Sequence, residues 1–95
     1  MTLDGKICIV TGGGSGIGRA TAIQMAREGA KLVLVGRTES KVTGVAVEIE
    51  SAGGTARSYG IDVADFEAVK NMVADVLDAF GRIDVLVNNA GHNSP

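Results

Sequence analysis

Four short apolar runs alternate along the 95 residues with three segments of helical periodicity. The runs are apolar at consecutive positions, which predicts strands that are buried on both faces, as in a parallel sheet. The third run is the weakest of the four. The predicted strands are Lys6–Val10, Lys31–Val35, Thr55–Ile61 and Asp84–Val87; one helix follows Gly18, a second spans Glu39–Ala52, and a third runs from a cap at Asp65 to Phe80.

This β-α-β-α-β-α-β alternation predicts an α/β fold, a Rossmann-like three-layer half-sheet with helices on both faces. The four parallel strands are expected in the order 3-2-1-4, with the first two helices on one face and the third on the other. Ligands of such sheets bind beyond the carboxyl ends of the strands, where the strand order reverses. Gly44 weakens the second predicted helix by up to ~1 kcal/mol relative to alanine, and its apolar spacing still indicates a helix.

A glycine-rich turn, Thr11–Gly18, joins the first predicted strand to the first helix. Glycines let a backbone turn sharply and approach phosphate oxygens, and the free N–H groups of a helix N-terminus add donors and partial positive charge. A nucleotide pyrophosphate is therefore the expected ligand. Gly12, Gly16 and Gly18 have the spacing G-x-x-x-G-x-G rather than the dinucleotide fingerprint G-x-G-x-x-G. A plain connection from strand to helix is the alternative for this motif alone.

Composition is that of one soluble globular domain, with 45% apolar and 21% charged residues. The net charge of −2 and the scattered Lys and Arg residues argue against nucleic-acid binding. Cys8 is the only cysteine and is expected to be buried, so no internal disulfide is expected. With no predicted leader and no apolar run of membrane-spanning length, we expect a cytoplasmic protein that does not bind membranes.

Three motifs together resemble the short-chain dehydrogenase/reductase family, in its classical type. They are the turn Thr11–Gly18, the pair Asp62-Val63 after the third strand, and Asn88–Gly91 after the fourth. The glycine spacing is the one that this family uses. The resemblance covers the chain from the first strand to the fourth, and residues 1–95 are expected to form a single, partial dinucleotide-binding domain, the N-terminal cofactor half of the family fold.

The resemblance implies a binding role for thirteen residues. Asp62 would accept a hydrogen bond from the adenine amino group, and the Val63 backbone would hold the ring; capping of the following turn is the alternative for Asp62. Asn88 and Asn89 would tie strand four to its neighbours, although an ordinary turn would also suit them. The residues implied around the pyrophosphate and adjacent ribose are Gly12, Gly14, Ser15, Gly16, Ile17 and Gly18. Those implied at the nicotinamide-side ribose are Asn89, Ala90 and Gly91. Arg37 is the residue implied at a 2′-phosphate.

Cofactor choice depends on the end of strand two. An acidic residue there would bind both ribose hydroxyls and repel a 2′-phosphate, but Gly36 stands in that place and Arg37 follows. NADP is therefore favoured over NAD. Three observations oppose this: Arg37 could be an exposed loop charge, Glu39 could reach a ribose hydroxyl, and Ser15 stands where many NADP-binding members carry a basic residue.

The family's chemistry uses a Ser, a Tyr and a Lys supplied beyond the fourth strand, so no catalytic residue is assigned here. Tyr59 is the only tyrosine, and Val63 stands where its Tyr-x-x-x-Lys partner would be. His92 is interpreted as a solvated side chain, and no metal site is expected. The first hypothesis is the cofactor half, itself inactive, of an NADP-dependent oxidoreductase that transfers hydride to or from a small carbonyl or alcohol substrate.

The second hypothesis is a stand-alone, non-catalytic nucleotide-binding or interaction module. Strand four would then be an open edge and the third helix would leave its sheet face half covered, so a homo-oligomer is expected. P-loop nucleotide hydrolysis is disfavoured, because no Lys-Ser/Thr pair follows the glycines.

Overall fold

The structure, a computed structural model, describes residues 2–89. It confirms the predicted alternation of strands and helices and the α/β class. The elements are β1 (Ile7–Thr11), α1 (Gly16–Arg27), β2 (Lys31–Gly36), α2 (Glu39–Ser51), β3 (Thr55–Gly60), α3 (Phe66–Phe80) and β4 (Val85–Asn88).

All four strands are parallel and lie in the order β3-β2-β1-β4, as predicted. β1 is central and pairs with both β2 and β4. Thr11, its last residue, is in register with Val35 on one side and Asn88 on the other. The carboxyl ends of β1, β2 and β4 therefore meet at one edge of the sheet, beside the glycine turn.

Side chains of β1 alternate between two apolar cores, because successive residues of a strand point to opposite faces. Cys8 and Val10 belong to the core under α1 and α2, whereas Ile7 and Ile9 belong to the core under α3. The prediction of two helices on one face and one on the other is confirmed. Burial is also the main cause that raises the pKa of the Cys8 thiol above its ordinary value.

Element ends differ from the predictions by one to three residues. α1 begins at Gly16, not after Gly18, because Ser15 already has the extended backbone of a cap residue. β1 extends to Thr11, and β4 begins at Val85, one residue after its predicted start. These shifts place two of the motif's glycines inside the first turn of α1.

The ends of α3 carry the cap signals that the sequence predicted. Asp65 Oδ1 accepts a hydrogen bond from the Ala68 backbone N–H at 3.1 Å. Gly81 ends the helix in the left-handed conformation, with φ of 84°, which glycine adopts without steric cost. This helix covers its face of the sheet through Met72 and Val76, which are buried.

Asp84, which directly precedes β4, links that strand to the amino end of β1. Its Oδ2 accepts hydrogen bonds from the Ile7 backbone N–H at 2.8 Å and from Arg82 Nε at 2.9 Å. The hydrogen bond from Ile7, followed by that from Arg82, holds the pKa of Asp84 below its usual value. The charged carboxylate therefore stabilises the folded state.

We expect an Asp84→Asn variant to be less sensitive to acid than the parent chain. Because the folded-state pKa is lowered, this contribution is present above the unfolded-state pKa and is lost as pH falls through the folded-state pKa. Urea unfolding between about pH 6 and about pH 3 would measure it, that range lying around the ordinary aspartate pKa of about 3.9. Asp78→Asn, on exposed α3 surface, is the control. Parallel pH profiles for the parent and Asp84→Asn would contradict the assignment.

Candidate functional site

The glycine turn is fixed over the carboxyl ends of β1 and β2. The backbone N–H groups of Gly12 and Gly13 both donate to the Val35 carbonyl, at 2.8 and 3.2 Å. Gly12 and Gly16 have φ of 67° and 58°, values that favour glycine over any residue with a Cβ. The path of the turn is therefore set by β2 and by two left-handed glycines.

Two further glycines are required by close approach of the protein to itself. A Cβ on Gly18 would lie 1.8 Å from the Gly12 carbonyl oxygen, and one on Gly14 would lie 2.8 Å from Lys41 Cβ. The first contact seats α1 directly on the turn, and the second lets α2 approach it. For Gly18, the missing side chain is explained by packing inside the protein.

The N-terminus of α1 is left open by the protein's own side chains. Ser15 is the cap residue but makes no side-chain hydrogen bond to the helix, and the first turn contains no acidic residue. The partial positive charge of this terminus is thus not compensated by the chain, and an anion here would be stabilised. The Ser15 hydroxyl and the 78% exposed Ile17 side chain lie at the same terminus.

A cleft of about 370 Å³ lies beside the turn, at the ends of β1, β2 and β3. It brings together Arg37, Asp62 and Val63, which the sequence predicted as separate parts of one site. Asp62 Oδ1 accepts a hydrogen bond from the Ala64 backbone N–H at 2.9 Å, so the turn-capping role is present. The cleft is lined by Gly12, Val35, Gly36, Arg37, Ile61, Asp62, Val63 and Ala64.

A smaller cleft of about 150 Å³ adjoins the first and shares three lining residues with it: Gly12, Gly36 and Arg37. Lys41, on the first turn of α2, also lines it, and the sequence analysis did not select this residue. Its only signal in the sequence is that it lies near the start of the predicted helix that follows Arg37. The remaining lining residues are Gly14, Ser15, Thr38 and Val42.

The Thr11 hydroxyl connects the glycine turn to the end of β4. It donates to Asn88 Oδ1 and accepts from the Asn89 backbone N–H, both at 2.9 Å. Asn89 Nδ2 is buried and has no hydrogen-bond partner among residues 2–89. A buried donor without a partner is costly, which fits a position that a ligand or another part of the protein completes. Ala90 and Gly91, the other two predicted residues here, lie outside the described residues.

Other kinds of site find no support in the described part of the chain. Within it, no group of three His, Cys, Asp or Glu side chains has a metal-binding arrangement. None of its helices is long and apolar enough to cross a membrane.

These residues fit a dinucleotide by their geometry. The open helix N-terminus and the glycines that expose the backbone suit a pyrophosphate. The cleft with a carboxylate suits an adenosine, and the adjoining cleft with two cations suits a further phosphate. The fit rests on the uncapped N-terminus of α1, on the left-handed glycines Gly12 and Gly16, and on the buried Asn89 Nδ2.

Comparison with known proteins agrees with this arrangement. The family profile described as "short chain dehydrogenase" matches residues 6–95. A 3beta-hydroxysteroid dehydrogenase of Mediterraneibacter gnavus is 48% identical over 88 residues, which are 93% of this chain and 32% of that protein. The chain thus spans about a third of the length of such relatives.

Two solved structures that are similar to this chain are described with different cofactors. A metagenomic short-chain oxidoreductase in complex with NADP is 42% identical, with a TM-score of 0.91 over 97% of this chain and 42% of that one. An NAD+-bound xylitol dehydrogenase is 40% identical, with the same TM-score over 97% of this chain and 35% of that one. The fold is therefore shared with proteins that are described with either cofactor. With the family profile matched from residue 6 to residue 95, this chain belongs to the short chain dehydrogenase family.

Proposed function

We propose that this chain is the cofactor-binding part of an NADP(H)-dependent oxidoreductase that acts on a small carbonyl or alcohol substrate. The observation that carries the proposal is the pair of adjoining clefts that share Gly12, Gly36 and Arg37. When bound, the nicotinamide cofactor would supply or accept the hydride. The residues of this chain would bind and orient it.

Each part of the site has a defined task in this proposal. The turn Gly12–Gly18 and the N-terminus of α1 would bind the pyrophosphate through backbone N–H groups and the Ser15 hydroxyl. The larger cleft would hold the adenosine, with the free Oδ2 of Asp62 as acceptor for the adenine amino group. Asn88–Gly91 would border the nicotinamide-side ribose. Together these contacts would fix the cofactor along the carboxyl edge of the sheet.

Proton transfer is assigned to a part of the protein beyond residues 2–89. The Tyr59 hydroxyl is engaged by Asp75 and Arg57, and burial, followed by the hydrogen bond to Asp75, raises its pKa. It lines a separate groove beside α2 and α3, not either cleft. Tyr59 is thus unsuited to serve as the acid or base of the reaction.

The preference for NADP over NAD rests on the surroundings of Arg37. Gly36 occupies the position from which a carboxylate would bind both ribose hydroxyls. Glu39, the acidic alternative, lines neither cleft, and its Cβ lies 2.6 Å from where a Cβ on Gly60 would stand. The smaller cleft, which contains Arg37 and no Asp or Glu in its lining, therefore supports the preference for a 2′-phosphate.

The apolar surface beside β4 favours the cofactor-half hypothesis over the stand-alone module. A concave region of about 350 Å³ lies between β1, β4 and α3, and Leu86 at its rim is 63% exposed. Since such apolar surface is normally covered, we propose that the longer part of the protein covers it. A stand-alone module would instead have to bury it by self-association.

We expect Arg37→Ala to weaken NADPH binding by about tenfold or more and to leave NADH binding nearly unchanged. A charge-assisted contact to phosphate contributes about 1.5–3 kcal/mol, and 1.4 kcal/mol corresponds to a factor of ten. Calorimetric titration of the parent and the variant with both cofactors measures this.

Arg27→Ala is the matched control, because Arg27 lies in the last turn of α1 and lines neither cleft. Equal affinities of the parent chain for NADPH and NADH would overturn the NADP assignment. Binding of neither cofactor would overturn the proposed function as a whole.

A further inference from the structure

We propose that Lys41 is a second specificity-determining residue, which binds the 2′-phosphate of NADP(H) together with Arg37. This inference rests on the proposed function and assigns a residue to it. The 2′-phosphate would occupy the smaller cleft, between the glycine turn and the first turn of α2.

Gly14 is what brings Lys41 to the site. The Gly14 backbone passes so close to α2 that a Cβ there would lie 2.8 Å from Lys41 Cβ and 3.3 Å from the Val42 backbone nitrogen. Any other residue at position 14 would push α2 away from the turn. With glycine there, the base of the Lys41 side chain lies directly beside Gly14 and Ser15.

The charges of the smaller cleft match a phosphate dianion. Arg37 and Lys41 are its two cations, Ser15 and Thr38 add hydroxyl groups, and its lining contains no Asp or Glu. Among residues 2–89, neither cation takes part in an ion pair, whereas Arg19, Arg57 and Arg82 do. Two cations that line one cleft would both attract a bound phosphate.

Lys41 accounts for one of the three observations that oppose NADP, the absence of a basic residue at position 15. Ser15 offers a hydroxyl where a basic side chain would have been expected from the resemblance to NADP-binding members. The second positive charge comes instead from α2, across the turn from Ser15. Lys41, on the second helix, would supply the positive charge that the glycine motif lacks.

The test compares two ligands that differ only in the 2′-phosphate, adenosine 2′,5′-bisphosphate and 5′-AMP. We expect Lys41→Gln to weaken binding of the bisphosphate about fivefold and to leave 5′-AMP binding within about twofold, since the side chain is exposed and its charge is partly screened. Lys41→Arg keeps the positive charge and is expected to restore most of the affinity. Lys70→Gln, on exposed α3 surface, is the control and should change neither affinity.

Two results would overturn the proposal and leave the cofactor assignment standing. Equal weakening of both ligands by Lys41→Gln would mean that Lys41 acts only by packing against Gly14. Unchanged bisphosphate binding in Lys41→Gln, together with a selective loss in Arg37→Ala, would mean that Arg37 alone binds the phosphate. Failure of the parent chain to bind any of these ligands would overturn the proposed function and this inference with it.

A double variant gives a further test. If Arg37 and Lys41 contact the same phosphate, the effects of their substitutions on bisphosphate affinity are expected to be non-additive. The combined loss should then differ from the product of the two single losses by about threefold or more, which lies above the usual additivity error. A product that matches within about twofold would contradict a shared phosphate.

Discussion

A Gly18→Ala variant is expected to lose about 3 kcal/mol of unfolding free energy and most of its dinucleotide affinity. The added Cβ would lie 1.8 Å from the Gly12 carbonyl oxygen and 2.6 Å from its carbon, both backbone atoms that no side-chain rotation can move. Either α1 or the glycine turn must shift, and overpacking of this kind costs about 1–3 kcal/mol or more. Because the same contact seats the helix N-terminus on the turn, the pyrophosphate site would be displaced as well.

Gly44→Ala is the matched control for this prediction. Gly44 lies inside α2, has ordinary helical backbone, and has no atom within 4 Å of an added Cβ. The substitution there should stabilise the chain by up to ~1 kcal/mol through helix propensity. Urea unfolding and NADPH titration of both variants would separate the steric effect at Gly18 from the general effect of a methyl group in a helix. Parent-like stability and affinity in Gly18→Ala would refute the packing role.

A Thr11→Val variant is expected to lose about 2 kcal/mol of unfolding free energy while keeping the shape of the side chain. The Thr11 hydroxyl is 2.9 Å from both Asn88 Oδ1 and the Asn89 backbone nitrogen, and Thr11 is only 7% exposed. A methyl group in its place leaves these two groups without that partner, and a buried polar group that loses its hydrogen bond costs about 1–3 kcal/mol. Binding of the nicotinamide side of the cofactor should weaken too.

Thr11→Ser separates the hydroxyl from the rest of the side chain. It keeps the donor and acceptor and removes one methyl group, a loss of about 1 kcal/mol. Urea unfolding should therefore rank the stabilities as parent, Thr11→Ser and Thr11→Val, and NADPH affinity should fall clearly only in Thr11→Val. If Thr11→Val were as stable as Thr11→Ser, the hydroxyl would not be the link between β1 and β4.

The order of the elements was predictable because the burial of strands and helices produces regular patterns of apolar residues in the sequence. Ile7–Val10 is apolar at every position, since one pair of side chains packs under α1 and α2 and the other under α3. α3 was equally clear, because Asp65 and Gly81 mark its ends and its apolar residues lie on one face. Parallel strands and right-handed crossovers then leave few ways to arrange the sheet.

Contacts between distant segments could not be predicted in the same way. The helical glycine Gly18 looks like part of a phosphate cradle, and only the three-dimensional path of the turn shows that the Gly12 carbonyl requires it. In the sequence, Lys41 has the pattern of a solvated charge on a helix. Only the structure shows that α2 packs close to Gly14 and that Lys41 lines the smaller cleft. For Asp62, the turn cap uses Oδ1 and the proposed adenine contact would use Oδ2, so the observed cap is compatible with that proposal.

The pairing of β1 with β4 also fixes when the site is completed during synthesis. Thr11 is made early, but its partners Asn88 and Asn89 emerge from the ribosome 77 and 78 residues later. Until then one edge of the central strand has no neighbour, whereas β2 and β3 are already available for pairing on the other side. Since strand edges stay unpaired until their partners are made, we expect the β4 side of the candidate site, at Thr11, Asn88 and Asn89, to be completed last, whereas the Val35 carbonyl of β2 can hold the glycine turn earlier.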